Sequence, residues 1–260
     1  MTYAKKSLGQ NFLTSESAVD TIIDTGDVAG NDIILEVGPG KGMLTKKLLL
    51  FAGKIIAIEK DHGLVAYLEE KFKKEIKDGK LDLIEQDILE YENKKLKAKG
   101  YKLIANIPYY ITGQLIRKFL ETKNQPERMV LMLQKEVANR IVAKDNKESI
   151  LSISVKAYGE PKYIQTIKAG SFFPTPKVDS AILLVENISK KFFNKFSEEK
   201  FFGALHAGFK SKRKKLSSNL STIYPKEKVL ETFKKLKLDE NTRAEDIKIE
   251  DWGKLLKILA

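Results

Sequence analysis

Residues 32–42 read DIILEVGPGKG. The first half, Ile33 to Val37, is an apolar run of strand length. The second half places glycines at 38, 40 and 42, and MLTKKLLLFA at 43–52 has helical spacing. The stretch therefore predicts strand, glycine turn and helix in succession. Working outward, the same alternation recurs. Upstream, Ala18, Val19, Ile22 and Ile23 give residues 16–27 a helical pattern. Downstream, KIIAIEKD at 54–61 predicts a second strand and GLVAYLEEKFKKEI at 63–76 a second helix. LDLIEQD at 81–87 and KLIANIPYY at 102–110 predict a third and a fourth strand. TGQLIRKFLET at 112–122 is helical, and RMVLMLQKE at 128–136 is a fifth strand running into a helix. Strands alternating with helices imply a parallel sheet covered on both faces.

After residue 160 the pattern changes. KYIQTIKAG and DSAILLVEN both read as strands, and SFFPTPKV between them leaves no room for a crossover helix. An antiparallel hairpin at the sheet edge is expected. Beyond about residue 195 every segment looks helical, so a domain boundary is expected near 190.

The 260 residues suffice for a large domain with a small companion. There are no cysteines and two histidines, His62 and His206. Disulfides, cysteine-ligated metals, a cysteine nucleophile and a histidine-rich metal site are thereby excluded. The N-terminus lacks the apolar core of a secretory signal, and no apolar stretch approaches the ~20 residues of a membrane span, so a cytoplasmic location is expected. Lys and Arg number 47 against 35 Asp and Glu. Residues 190–260 hold 18 of the basic and 10 of the acidic residues, leaving 29 and 25 before them. Two-thirds of the +12 excess thus lies in the C-terminal quarter, which points to a polyanionic partner.

The glycine spacing is G-x-G-x-G. The dinucleotide fingerprint would need glycine at 43, where Met43 stands, and no G-K-[ST] follows for a P-loop. The spacing fits a cofactor without a pyrophosphate, such as S-adenosylmethionine. Glu59 ends the second strand about 20 residues on, where an acid can take ribose hydroxyls. Asp87 ends the third, placed to accept from an adenine amine. Asn106-Ile107-Pro108-Tyr109 closes the fourth. An adenine N6 amine is a poor nucleophile because its lone pair is delocalised. The Asn106 amide oxygen and the Ile107 carbonyl can accept its hydrogens and localise that pair. Pro108 would fix the turn and Tyr109 would stack on the base.

With these motifs in view, the chain resembles the ribosomal RNA adenine N6-dimethyltransferases, nearest the small-subunit, kasugamycin-resistance type. The resemblance rests on LGQNFL at 8–13, EVGPGKGMLT at 36–45, Glu59, QDIL at 86–89, NIPYYIT at 106–112, FFPTPKVDSAIL at 172–183, FKSKRKKLSSNL at 209–220 and RAEDIKIEDW at 243–252. It implies a seven-stranded Rossmann-like class I methyltransferase sheet, mostly parallel with an antiparallel edge hairpin, over residues 1–190. A small all-helical RNA-binding domain would follow at 191–260. S-adenosyl-L-methionine would be the methyl donor, with no metal. The substrate would be two adjacent adenines in a hairpin near the 3′ end of small-subunit (16S) rRNA, in an immature subunit, and the working form a monomer.

By the same resemblance, Asn11 and Leu13 would cover the cofactor. Gly38, Gly40 and Gly42 would cradle it, Glu59 would hold its ribose and Asp87 its adenine, and Asn106 would bridge cofactor and target. Phe172 would stack on the target opposite Tyr109, while Phe173 is expected in the core. Thr175 departs from the further proline of many relatives, which bears on loop stiffness. KSKRKK at 210–215, read as helical, would bring Lys210, Lys212, Arg213, Lys214 and Lys215 to rRNA phosphates, with Lys5 and Lys6 at the other end. Within that run Lys210, Arg213 and Lys214 would share a helix face. Transfer would be direct, with no titratable general base evident. Two other readings stand beside this one: a large-subunit, erythromycin-resistance type dimethyltransferase, and a non-enzymatic RNA-binding or transcription factor on the same fold.

Overall fold

A computed structural model describes residues 4–5, 8–92, 96 and 100–259. The chain divides into two compact units, Met1–Ala138 with Glu160–Ile188, and Asn139–Gly159 with Ser189–Ala260.

The first unit holds a seven-stranded sheet. Its strands are β1 (Ile33–Val37), β2 (Lys54–Glu59), β3 (Leu81–Glu85), β4 (Tyr101–Asn106), β5 (Arg128–Gln134), β6 (Glu160–Ile167) and β7 (Ser180–Glu186). Their order across the sheet is β3-β2-β1-β4-β5-β7-β6. The first five run parallel, and β7 lies antiparallel to β5 and β6 as the expected edge hairpin. Ile34, Ile55, Ala57, Ile104, Val130, Met132, Ile182 and Leu184 form one buried cluster with Ala18, Val19, Ile22 and Ile23 of helix α1 (Glu16–Gly26). The alternate positions Leu35, Leu103, Leu131 and Leu183 are fully buried too, so both faces of the sheet are covered.

α1 starts where Ser15 Oγ accepts the Ala18 N–H. α2 (Met43–Phe51) starts on Gly42. The helix expected over 63–76 is two helices, α3 (His62–Lys71) and α4 (Lys73–Lys77), broken at Phe72. The Phe72 ring packs so close to Gly42 that a Cβ there would lie 2.5 Å from it. α5 (Thr112–Glu121) follows β4 through a single 3₁₀ turn, and α6 (Lys135–Val142) follows β5 directly. The strand order reverses at β1, which lies between β2 and β4. A ligand crevice is expected beyond the carboxyl ends at such a point. One short ladder was not foreseen: Phe12–Leu13 pairs antiparallel with Phe172–Phe173.

The second unit contains α7 (Ile150–Lys156), α8 (Glu198–Phe209), α9 (Leu216–Leu220), α10 (Lys226–Leu236) and α11 (Ile249–Leu259). The boundary expected near 190 is only one of three crossings, because residues 139–159 also belong here. Ile153 and Val155 are fully buried, and the Tyr158 ring lies 4.9 Å from Phe193 and 6.2 Å from Phe202. A short helix between two sheet strands does not announce in sequence which core it joins. Residues 210–215, expected to be helical, form a turn between α8 and α9. Asn219 Nδ2 donates to the carbonyls of Gly208 (2.6 Å) and Ser211 (3.0 Å) and shapes the turn from inside. Lys210, Lys212, Arg213, Lys214 and Lys215 are all exposed on it, so no i, i+3, i+4 face exists.

Candidate active site

A cleft opens beyond the carboxyl ends of β1, β2 and β4, lined by the glycine loop, the turn after β3, residues 106–111, residues 8–13 and Phe172. Gly38, Gly40 and Gly42 all adopt positive φ, +69°, +59° and +72°. They do so for different reasons. A Cβ on Gly42 would strike Phe72 and Leu68, and one on Gly40 would crowd the Phe12 ring at 3.1 Å. At Gly38 only the Asn106 carbonyl, at 3.7 Å, would be met, so this backbone faces the cleft.

Glu59 is 7% exposed. Its Oε2 accepts from Gly40 N–H (3.2 Å), and its Oε1 from the N–H groups of Lys60 and Asp61 (2.9 Å each). Burial raises its pKa, and these backbone donors offset part of that. Glu59 thus ties the end of β2 to the glycine loop. Beyond β3, Asp87 Oδ1 accepts from Leu89 N–H (2.9 Å) and Oδ2 meets Lys60 Nζ at 2.6 Å. Burial pushes the Asp87 carboxyl up, but Lys60 and the Leu89 N–H outweigh it and hold it below its ordinary value.

Asn106, at the end of β4, donates its amide N–H to the Asn11 carbonyl at 3.3 Å. Ile107 N–H donates to Met132 O (3.1 Å), anchoring the turn to β5. Tyr109 is half-buried, with its hydroxyl 2.8 Å from Ser180 Oγ. The arm carrying Asn11 passes over the glycine loop, with Phe12 against Gly40 and Lys41 Nζ 4.9 Å from the Phe12 ring centre.

Residues 1–260 match the family described as ribosomal RNA adenine dimethylase. The chain belongs to that family. It is an rRNA adenine dimethyltransferase. The dimethylase is 40% identical over 256 residues to the ribosomal RNA small subunit methyltransferase A of Dehalococcoides mccartyi, covering 97% of this chain and 87% of that one. It is also 40% identical over 258 residues to the methyltransferase of the same name from Fusobacterium nucleatum, covering 98% and 97%. Among solved structures it superposes on a dimethyladenosine transferase from Plasmodium falciparum with a TM-score of 0.80. The identity there is 28%, over 94% of this chain and 95% of that one.

The dimethylase brings Asn11, Leu13, Gly38, Gly40, Glu59, Asp87, Asn106, Ile107, Pro108, Tyr109 and Phe172 to this one cleft. Gly42 supports the loop from behind. One expectation needs correction. Phe173 is not in the core; it is 66% exposed while Phe172 is 3% exposed, because consecutive strand residues point to opposite faces. The Lys5 ammonium sits 2.7 Å from Asp61 Oδ1 and is otherwise half exposed. Lys6 lies outside the described residues.

Sequence reasoning missed Gln10, Lys60, Asp61 and above all Glu36. Glu36 lies on β1 at the cleft, is 1% exposed, and neither carboxyl oxygen has a partner in hydrogen-bond geometry among the described residues. Burial pushes its pKa up to about 8, with the neighbouring Thr45 hydroxyl lowering it and the Glu59 charge raising it further. The available signal was an acid inside an apolar strand, ILEV.

Proposed function

We propose that the dimethylase uses S-adenosylmethionine to place two methyl groups on N6 of each of two adjacent adenines in a hairpin near the 3′ end of small-subunit rRNA. The observation that carries this is the position of Asn106–Tyr109. They lie at the end of β4, across from the glycine loop and the Glu59 carboxylate and in the same cleft. The name small subunit methyltransferase A, borne by relatives at 40% identity, supports the choice of subunit. An assembling small subunit as substrate, a monomeric working form, a cytoplasmic setting and a metal-free reaction rest on the family resemblance. Among the described residues no helix is long and apolar enough to cross a membrane.

The cleft fits such a cofactor on structural grounds. A buried carboxyl with no hydrogen-bond partner among the described residues, Glu36, keeps its proton at neutral pH and gives it up when a ligand brings positive charge beside it. The Gly38 backbone faces open space. Glu59 and Asp87 offer acceptors for ribose hydroxyls and a base amine. Residues 8–13 line the cleft opposite its floor. The cofactor supplies, when bound, an electrophilic methyl on a sulfonium.

For the target base, the Asn106 amide is oriented by its N–H bond to Asn11, which leaves its oxygen to accept from the adenine amine. The Ile107 carbonyl is the second acceptor, and together they localise the lone pair of N6. Tyr109 stacks on the ring with its hydroxyl anchored on Ser180, and Phe172, buried in the core at the cleft wall, bounds the space the ring enters. Catalysis is then chiefly positioning and desolvation, and the amine proton leaves to water. The exposed cations of residues 210–215 contribute phosphate contacts that carry no sequence information.

The test is transfer of labelled methyl groups to small- and large-subunit particles lacking the modification. Label on dimethyladenosine of small-subunit rRNA is expected, and label on the large subunit alone would replace this reading with the erythromycin-resistance type. Tyr109→Ala should lower turnover while sparing most cofactor affinity, since stacking on an aromatic is worth roughly 1–3 kcal/mol. Equal loss of cofactor binding would make Tyr109 structural.

A further inference from the structure

Three attachments hold the arm over the cleft. At its far end Phe12–Leu13 pairs with Phe172–Phe173, and Thr14 N–H donates to Ser171 O at 2.8 Å. In the middle Asn106 donates to the Asn11 carbonyl at 3.3 Å. Among the described residues the near end is tied down through Asp61. Its Oδ1 meets Lys5 Nζ at 2.7 Å and its Oδ2 accepts from Gln10 Nε2 at 2.8 Å. Gln10 uses the other end of its amide on the arm itself, accepting Lys5 N–H at 2.7 Å. Both ends of that amide are therefore fixed, and the fold of the near end is read against Asp61. Asp61 is 4% exposed, and its own N–H donates to Glu59. It sits between the floor of the cleft and its cover.

We propose that Asp61 is the latch of this cover, a positioning residue that holds residues 8–13 over the cofactor through Lys5 and Gln10 and depends on its negative charge to do so. The inference rests on reading the cleft as an S-adenosylmethionine site. Asp61 also caps α3 through Gly63 N–H (3.0 Å), so a variant must separate cap from latch. Asp61→Asn does so, because asparagine caps helices as well as aspartate but carries no charge. Lys5→Met acts on the same pair from the arm and leaves the cap untouched.

The chain has no cysteine, so Ala4→Cys gives a unique site for a spin label on the arm. The label should move faster in Asp61→Asn and in Lys5→Met without cofactor. Each variant should raise the S-adenosylmethionine Kd about five- to tenfold, less than the full loss of a charged hydrogen bond because the Lys5 ammonium is half exposed and the rest of the arm stays attached, and mainly through faster dissociation. The double variant should fall close to either single one. Unchanged label motion and unchanged Kd in Lys5→Met, whose fold is not at stake, would overturn the latch. A double variant whose loss is the product of the two single losses would also overturn it. Failure of the unsubstituted protein to bind S-adenosylmethionine would instead remove the reading of the cleft, and it is measured first.

Discussion

The strand-end carboxylates and the cations of residues 210–215 hold charge in different ways. Glu59 accepts from three backbone N–H groups, Asp61 from two arm side chains and a helix cap, and Asp87 from Lys60 and a backbone N–H. Every oxygen has a fixed place before any ligand arrives. The five cations of the turn are exposed, and what is fixed there is the backbone beneath them, through Asn219. The first arrangement selects a ligand by geometry. The second responds to charge number and tolerates variation in where the charges stand.

Glu36 tests the comparison most strongly, because it is the cleft carboxylate that lacks partners. With its pKa near 8 in the folded protein and about 4.5 unfolded, the folded state keeps a proton that the unfolded chain releases. Stability due to this group is therefore lost as pH rises from about 4.5 to 8. Glu36→Gln cannot titrate. Its stability relative to the parent should grow across that window, on the order of 3–5 kcal/mol in total. Denaturant titrations at pH 5 and pH 8 measure it. A margin that does not change with pH would mean the Glu36 carboxylate is satisfied after all.

Glu59→Ala comes next. Losing a charged acceptor costs about 1.5–3 kcal/mol, so calorimetry should show S-adenosylmethionine affinity reduced roughly ten- to a hundredfold. Melting temperature should fall as well, since Gly40, Lys60 and Asp61 lose their acceptor. Unaltered affinity would exclude Glu59 as the ribose ligand.

The smallest effects belong to the turn. Neutralising Lys210, Lys212, Arg213, Lys214 and Lys215 one at a time should each lower the salt slope of rRNA binding by somewhat under one unit, with cofactor affinity unchanged. A steep loss from a single member would show that the turn, too, works by geometry.

What could be read from sequence follows the same division. The apolar runs alternating with helical segments and the glycine loop specify a parallel sheet with a crevice at its strand ends, because strands buried on both faces read as continuous apolar runs and positive-φ glycines leave direct marks. The placement of Glu59, Asp87 and Asn106 at the cleft was legible for the same reason: each stands within three positions of the end of an apolar run. Asp61 and Gln10 were not, being separated by 51 residues and joined only in the fold. Phe173 was misplaced because a two-residue ladder, Phe12–Leu13 with Phe172–Phe173, is too short to show a period. Residues 210–215 looked helical between helical neighbours, and the Asn219 side chain that bends them lies beyond the run.

The repeated crossing between units has a consequence for synthesis. The peptide that carries Ile153, Val155 and Tyr158 leaves the ribosome before any of residues 189–260, which complete the core it joins. For at least the time needed to add residues 160–188, these side chains remain wet, at a cost of about 1.5–3 kcal/mol for each large apolar one. A nascent chain stalled or cleaved near residue 189 would keep a finished sheet and yet display an orphaned sticky helix, a natural handle for chaperones or proteases that clear incomplete products.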